Sequence, residues 1–203
     1  MEIDDAQITE QLQHIRDFEA QLGVAKGFFE ALLRENDWSF LIKIHALVEA
    51  GATNVIVEAM GKPELRNHFA QLPLSDSNYG KLSLLKELDV LSGPYRGFVR
   101  KLSELRNQAV HNVNQTSLDL KQMCLDAPKD KRKALAETLG VGLKASSEIR
   151  LGFLLSNPKF LIWVSSLCLI SLLAIHKNLF KGTNDLSILG QQALGILSKT
   201  PDA

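Results

Sequence analysis

Apolar residues recur along this chain mostly at helical spacing. Between residues 5 and 35 they fall at Ile8, Leu12, Ile15, Phe18, Leu22, Ala25, Phe29 and Leu32, in steps of four and three. That spacing is the seam of an amphipathic helical arm. Gly23 and Gly27 weaken it, so the arm is either two helices or one kinked helix. Asn36-Asp37 interrupts the pattern, and Asp37 is placed to cap a helix over about 38–60, with Phe40, Ile44, Leu47, Val48 and Val55 on its apolar side. Gly61-Lys62-Pro63 ends that helix, and a short one is expected over 64–72.

Residues 73–80 (PLSDSNYG) have the composition of a loop. A helix is predicted over roughly 81–91, and Ser92-Gly93-Pro94 connects it to another over about 95–112, with Pro94 in the first turn, where its missing N–H does no harm. Residues 114–150 are polar and read as helical pieces separated at Pro128. Asn157-Pro158 opens a final helix whose core, FLIWVSSLCLISLLAI over 160–175, is uncharged. Its 16 residues fall short of the ~20 that cross a bilayer as a helix, and Ser165, Ser166 and Ser171 interrupt it. A buried core helix is therefore expected there, and a membrane partner is not. Beyond Lys181 the sequence GTNDLS specifies little, although 186–197 fits a short helix. The expected organisation is an N-terminal helical arm (1–36), a helical bundle (37–181) and a C-terminal tail (182–203), all-α throughout.

Charge changes the picture only locally. The net charge is zero, so bulk electrostatics point to neither nucleic acid nor membrane. Residues 1–35 hold eight acids against three bases, a balance of −5. Residues 93–111 hold Arg96, Arg100, Lys101 and Arg106 against Glu104, a balance of +3. Basic residues gathered on one helix of a neutral chain suit selective RNA contact, or simply a solvated face. Cys124 and Cys168 match no metal spacing and read as reduced thiols, consistent with a cytoplasmic setting. The acidic start, Met-Glu-Ile-Asp-Asp, has no apolar segment of the kind a signal peptide needs.

The helix over 95–112 carries the best candidate chemistry. Phe98, Leu102, Leu105, Ala109 and Val113 form one apolar stripe, and Arg100, Glu104, Asn107 and His111 form a second on another side. Arg106, Asn107 and His111 lie within two turns. Arg is a permanent cation whose donors match phosphate oxygens, and His exchanges protons near neutrality. Together they can cleave RNA without metal, because the ribose supplies its own nucleophile. Asn107 and His111, four residues apart, can share a hydrogen bond that fixes the imidazole tautomer. Arg106 and His111 diverge by roughly 140° on an ideal helix, so one chain does not readily converge them on one phosphate. Two facing copies would. The bland alternative is that Arg106 pairs with Glu104 or another acid, and that His111 merely sits where the helix dipole favours a cation.

A helix ending Leu105-Arg106-Asn107-x-x-x-His111 resembles the Arg-x4–6-His signature of the HEPN superfamily, including the Asn that commonly follows the Arg. The order of elements is similar too. An early helix rich in aromatic and apolar residues (DWSFLIKIHALVEAGATNVI), the GKLSLLKEL segment, the signature helix and an apolar closing helix cover about residues 37–180. Only the signature is specific. The resemblance implies an up-and-down helical bundle acting as a homodimer, with a cofactor-free, metal-independent endoribonuclease site shared between protomers. It implies that Arg106 stabilises the transition state, that His111 is general base or acid, and that Asn107 orients them. It also implies toxin or defence roles with an antitoxin or other regulatory protein as partner. The layout is equally similar to regulators of the mannitol-repressor type, which implies a non-catalytic module binding protein or RNA.

Other residues add less. Arg96, Arg100 and Lys101 are candidates to hold RNA phosphates, and Glu49, Glu58 or Glu104 to position Arg106. His45 and Glu49 stand four apart, without a third ligand, and suit a hydrogen bond on the helix surface. His68 and His176 stand alone, and Trp38 and Trp163 are expected in the core. No phosphate-cradling glycine loop, nucleophile elbow or zinc pattern occurs.

Overall fold

A computed structural model of the protein describes residues 5–76, 78–111 and 118–197, with side chains described from 13 to 192. Among these residues every regular element is helical: α1 (Asp5–Leu22), α2 (Phe28–Arg34), α3 (Asp37–Met60), α4 (Arg66–Gln71), α5 (Lys81–Glu87), α6 (Gly93–His111), α7 (Leu120–Asp126), α8 (Lys129–Leu139), α9 (Ser147–Ser156) and α10 (Pro158–Leu197). A 3-10 turn over Pro63–Leu65 leads into α4. The chain clusters into two compact units, one of Met1–Val48 with Gly93–Ser171, the other of Glu49–Ser92 with Leu172–Ala203. The all-α class is as expected.

In the first unit the N-terminal seam breaks into two helices. Gly23 and Gly27, at φ 70° and 79°, make the turn between them, a conformation that costs glycine little. The carboxylate of Glu19, fully buried, accepts from the backbone N–H groups of Gly27 at 2.6 Å and Phe29 at 2.8 Å. It therefore satisfies donors that the start of α2 leaves unpaired. Phe18 stacks on Phe29, and Trp163 donates its indole N–H to the Phe29 carbonyl at 2.8 Å. The segment expected as an arm thus supplies buried residues: Phe29 and Leu32 are buried, as are Phe40, Leu41, Ile44, Phe98 and Leu102 of the same unit. α8 packs on α6 and α9, and α7 on α9.

Two expectations for the start of α3 change. The cap is Asn36, whose Oδ1 accepts from the Ser39 N–H at 2.8 Å. Asp37, already inside the helix, instead accepts from the Leu120 N–H at 2.8 Å and pairs with Lys159 at 2.7 Å. Trp38 is 41% exposed, because its indole turns toward a backbone carbonyl of α6 and leaves much of the ring in solvent. Trp163 is buried as expected.

In the second unit, Ala52, Val55, Ile56, Leu74, Leu82, Leu85 and Leu173 are buried. Lys81 is buried completely. Its ammonium donates to Glu49 at 2.8 Å and to the carbonyls of Ala70 at 2.9 Å and Leu72 at 2.7 Å. One charge thereby fastens α3, α4 and α5. α5 is shorter than the expected 81–91. It ends where Val90 N–H returns to the Leu85 carbonyl and Asp89 takes φ 52°.

α10 is one helix of 40 residues, running through the sequence expected to be a tail. Leu161, Ile162, Ser165, Ser166 and Leu169 are buried in the first unit, as the core-helix expectation required. α3 and the Pro158–Gln192 stretch are each long and apolar enough to cross a membrane, with 56% and 50% of their most apolar windows buried inside the protein.

Candidate functional site

α6 is held by its apolar stripe. Phe98, Leu102, Leu105 and Ala109 are 5% exposed or less, which fixes which side of the helix meets solvent. Val113, expected to continue the stripe, lies outside the described residues, as does Asn112. Ser103, also buried, donates to the Val99 carbonyl at 2.9 Å and lies 3.2 Å from His45 Nε2. His45 is therefore a buried contact from α3 to α6 and not a surface residue. This polar pair fixes the rotation of α6 against α3.

The end of α6 is fastened from the same helix. The indole N–H of Trp38 donates to the Ala109 carbonyl at 3.0 Å, one of the acceptors that the last turn leaves without a helical partner. Just beyond the undescribed 112–117, the Leu120 N–H is taken by Asp37. Lys159 completes the anchorage, pairing with Asp37, donating to the Glu35 carbonyl at 2.6 Å and lying 5.9 Å over the Phe40 ring. The first residues of α3 thus set both chain ends flanking 112–117, a role that neither Asp37 nor Trp38 announces in the sequence.

The polar side of α6 meets solvent. Arg100, Glu104, Asn107 and His111 are exposed, as the second stripe requires, and Arg96, Lys101 and Arg106 are half-buried. Arg106 Nη1 donates to Asn107 Oδ1 at 3.1 Å. The amide oxygen expected to serve His111 is therefore directed at the guanidinium. His111 is the last residue of α6. Lys101 pairs with Glu104 at 2.9 Å, so the acid considered as a partner for Arg106 is occupied by a lysine. In the second unit, Glu49 holds Lys81, and Glu58 gives its backbone carbonyl to Asn184. His68 is exposed, and His176 lies against Phe180.

Beside α6, a cavity of about 200 Å³ is lined by Leu105, Gln108, Leu120, Met123 and Cys124. Burial pushes the Cys124 thiol up to about 11, so it stays protonated and is no nucleophile at neutral pH. Cys168 is also a free thiol, raised by burial. Among the described residues, no three His, Cys, Asp or Glu side chains gather closely enough to hold a metal ion.

Chemically, the end of α6 offers an exposed imidazole and a guanidinium braced by a neighbouring amide. One can move a proton and the other can bind a phosphate. Comparison with protein-family models, with curated proteins and with solved structures finds no match to this chain.

Proposed function

We propose that the chain is a metal-independent endoribonuclease with a HEPN-like bundle, active in the cytoplasm as a homodimer. The observation that carries this reading is the exposure of Asn107 and His111 at the end of α6, with the half-buried Arg106 guanidinium braced by Asn107. In the reaction, the His111 imidazole takes the proton of a ribose 2′-hydroxyl. The 2′-oxygen then bonds to phosphorus as the bond to the 5′-oxygen breaks. Arg106 stabilises the charge on the non-bridging oxygens, and a second imidazolium protonates the departing 5′-oxygen. The products carry 2′,3′-cyclic phosphate and 5′-hydroxyl ends. Arg96, Arg100 and Lys101 hold flanking phosphates. The divergence of Arg106 from His111 on one helix makes the second copy part of the site. A regulatory protein of antitoxin type would act by covering this face.

The same divergence favours a second reading, a non-catalytic regulatory module that uses the polar face of α6 to bind RNA or protein. Complementation separates the two. Arg106→Ala and His111→Ala should each lower RNA cleavage at least ~100-fold while leaving the fold intact. Mixing the two inactive variants should restore part of the activity, because one copy brings the guanidinium and the other the imidazole base, with water in place of the second imidazolium as the proton source for the 5′-oxygen. RNA binding without cleavage by the wild-type protein would favour the regulatory module.

A further inference from the structure

α10 has an apolar face that its own unit leaves uncovered. Ile175, Leu179, Leu186 and Leu189 are 57%, 60%, 71% and 60% exposed. At ~100° per residue they form one stripe about 80° wide, with Gly182 in its middle. As far as Asn184 the opposite side of the helix is the occupied one, whereas over 185–192 every residue is exposed, Ile188 away from the stripe included at 52%. Leu173 is buried beside Gly51, where a Cβ would stand 3.2 Å from the leucine Cδ1, and Asn184 donates to the Glu58 carbonyl at 2.7 Å. Both residues lie roughly 160–180° around from the centre of the stripe, so the stripe faces away from the part of α3 in the same unit.

The chemistry beside the stripe points to its occupant. A helix lying on a membrane surface carries its cations on the polar face and suits anionic headgroups. Here only Lys177 and Lys181 are available, far around the helix from the apolar residues, and the flanking positions are Asn178, Thr183 and Asp185. Residues 178–192 also carry too many polar groups to span a bilayer. Steps of four and three are instead the spacing of a helix-pair seam, and Gly182 lets a second backbone approach closely. Four aliphatic side chains at this exposure offer ~100 Å² each. Pairing the stripe with itself, flanks included, therefore buries about 1,000 Å², the lower bound for a specific interface.

We propose that this stripe is a self-association seam, along which α10 of one copy lies against α10 of a second copy of the chain. The seam rests on α10 alone, but the nuclease reading also requires a dimer: a monomeric wild type would overturn both, whereas a dimer mass unchanged by the α10 variants would overturn only the seam.

The experiment is sedimentation equilibrium of the full chain without RNA at micromolar concentration. It compares wild type with Leu179→Glu/Leu186→Glu and with Ser187→Glu, an exposed position off the stripe. Wild type and Ser187→Glu should sediment at twice the chain mass, and the double variant at the monomer mass with unchanged far-UV circular dichroism. Leu186→Ala, which adds no charge, should weaken the dimer at least tenfold if the double variant proves unfolded. A monomeric wild type would overturn the proposal, as would a dimer mass unchanged by the variants. So would wild-type monomers that float with phosphatidylcholine vesicles and lose that binding in the double variant.

Discussion

Replacing Lys81 by Met should destabilise the protein by about 3 kcal/mol, and the estimate follows from what the ammonium touches. The side chain is fully buried, and its three donors are spent on Glu49, Ala70 and Leu72. Met keeps most of the stem's volume and removes the charge and all three bonds. Two backbone carbonyls then lose a charged donor, at about 1 kcal/mol each where water can partly return. Glu49, whose side chain is 36% exposed, can rehydrate, so losing its partner costs less than the 3–5 kcal/mol typical of a fully buried pair. Relief from desolvating an ammonium offsets part of the total. Glu49→Gln keeps an acceptor and should cost only about 1 kcal/mol. Urea unfolding followed by circular dichroism measures both, and the thermal midpoint of Lys81→Met should fall by about 8 °C for a chain of this size. A Lys81→Met protein as stable as wild type would refute the reasoning, because it would mean that the three bonds merely repay the cost of burying the charge.

Further outcomes follow from other contacts. Glu19→Ala removes the acceptor for two backbone donors at the start of α2 and should cost about 2 kcal/mol, read as a lower urea midpoint. Gly142→Ala would place a Cβ 2.7 Å from Ser165 Cα, which forces backbone to move and should cost about 2 kcal/mol or more in the same assay. The Cys124 thiol has its folded value raised from about 9 to about 11, so the unfolded chain releases that proton first. Its stabilising contribution is complete below pH 9 and is lost as pH rises through 11. Native protein at pH 8 should accordingly react with a thiol reagent at Cys124 far more slowly than unfolded protein; equal rates would contradict the burial.

How much was legible in the sequence depended on whether each cause is local. Phe98, Leu102, Leu105 and Ala109 mark the buried side of α6 by spacing alone, and the exposure of Asn107 and His111 follows from it. Gly23 and Gly27 signalled the break before α2, and Gly61-Lys62-Pro63 the end of α3. Causes that act across long stretches of chain left no local trace. Trp38 reaches Ala109, 71 residues on, and Asp37 reaches Leu120, 83 residues on, so neither behaves as its immediate neighbours suggest. Lys81 looks like an ordinary solvated lysine at a helix start, yet it is completely buried, with two carbonyls and Glu49 converging on it. The GTND stretch of α10 has poor helix propensity, and Asn184 is held in place by Glu58, 126 residues away. Arg106 and His111 diverge by roughly 140° on one ideal helix, so the sequence shows them only as residues of one helix end.

The central claim is that the end of α6 cleaves RNA. Its most direct test is to incubate purified wild-type protein with mixed RNA in excess EDTA, beside His111→Ala, and to identify the ends produced. The account predicts cleavage that leaves 2′,3′-cyclic phosphate and 5′-hydroxyl ends and disappears with His111. No cleavage by folded protein, or cleavage that survives His111→Ala, would contradict it.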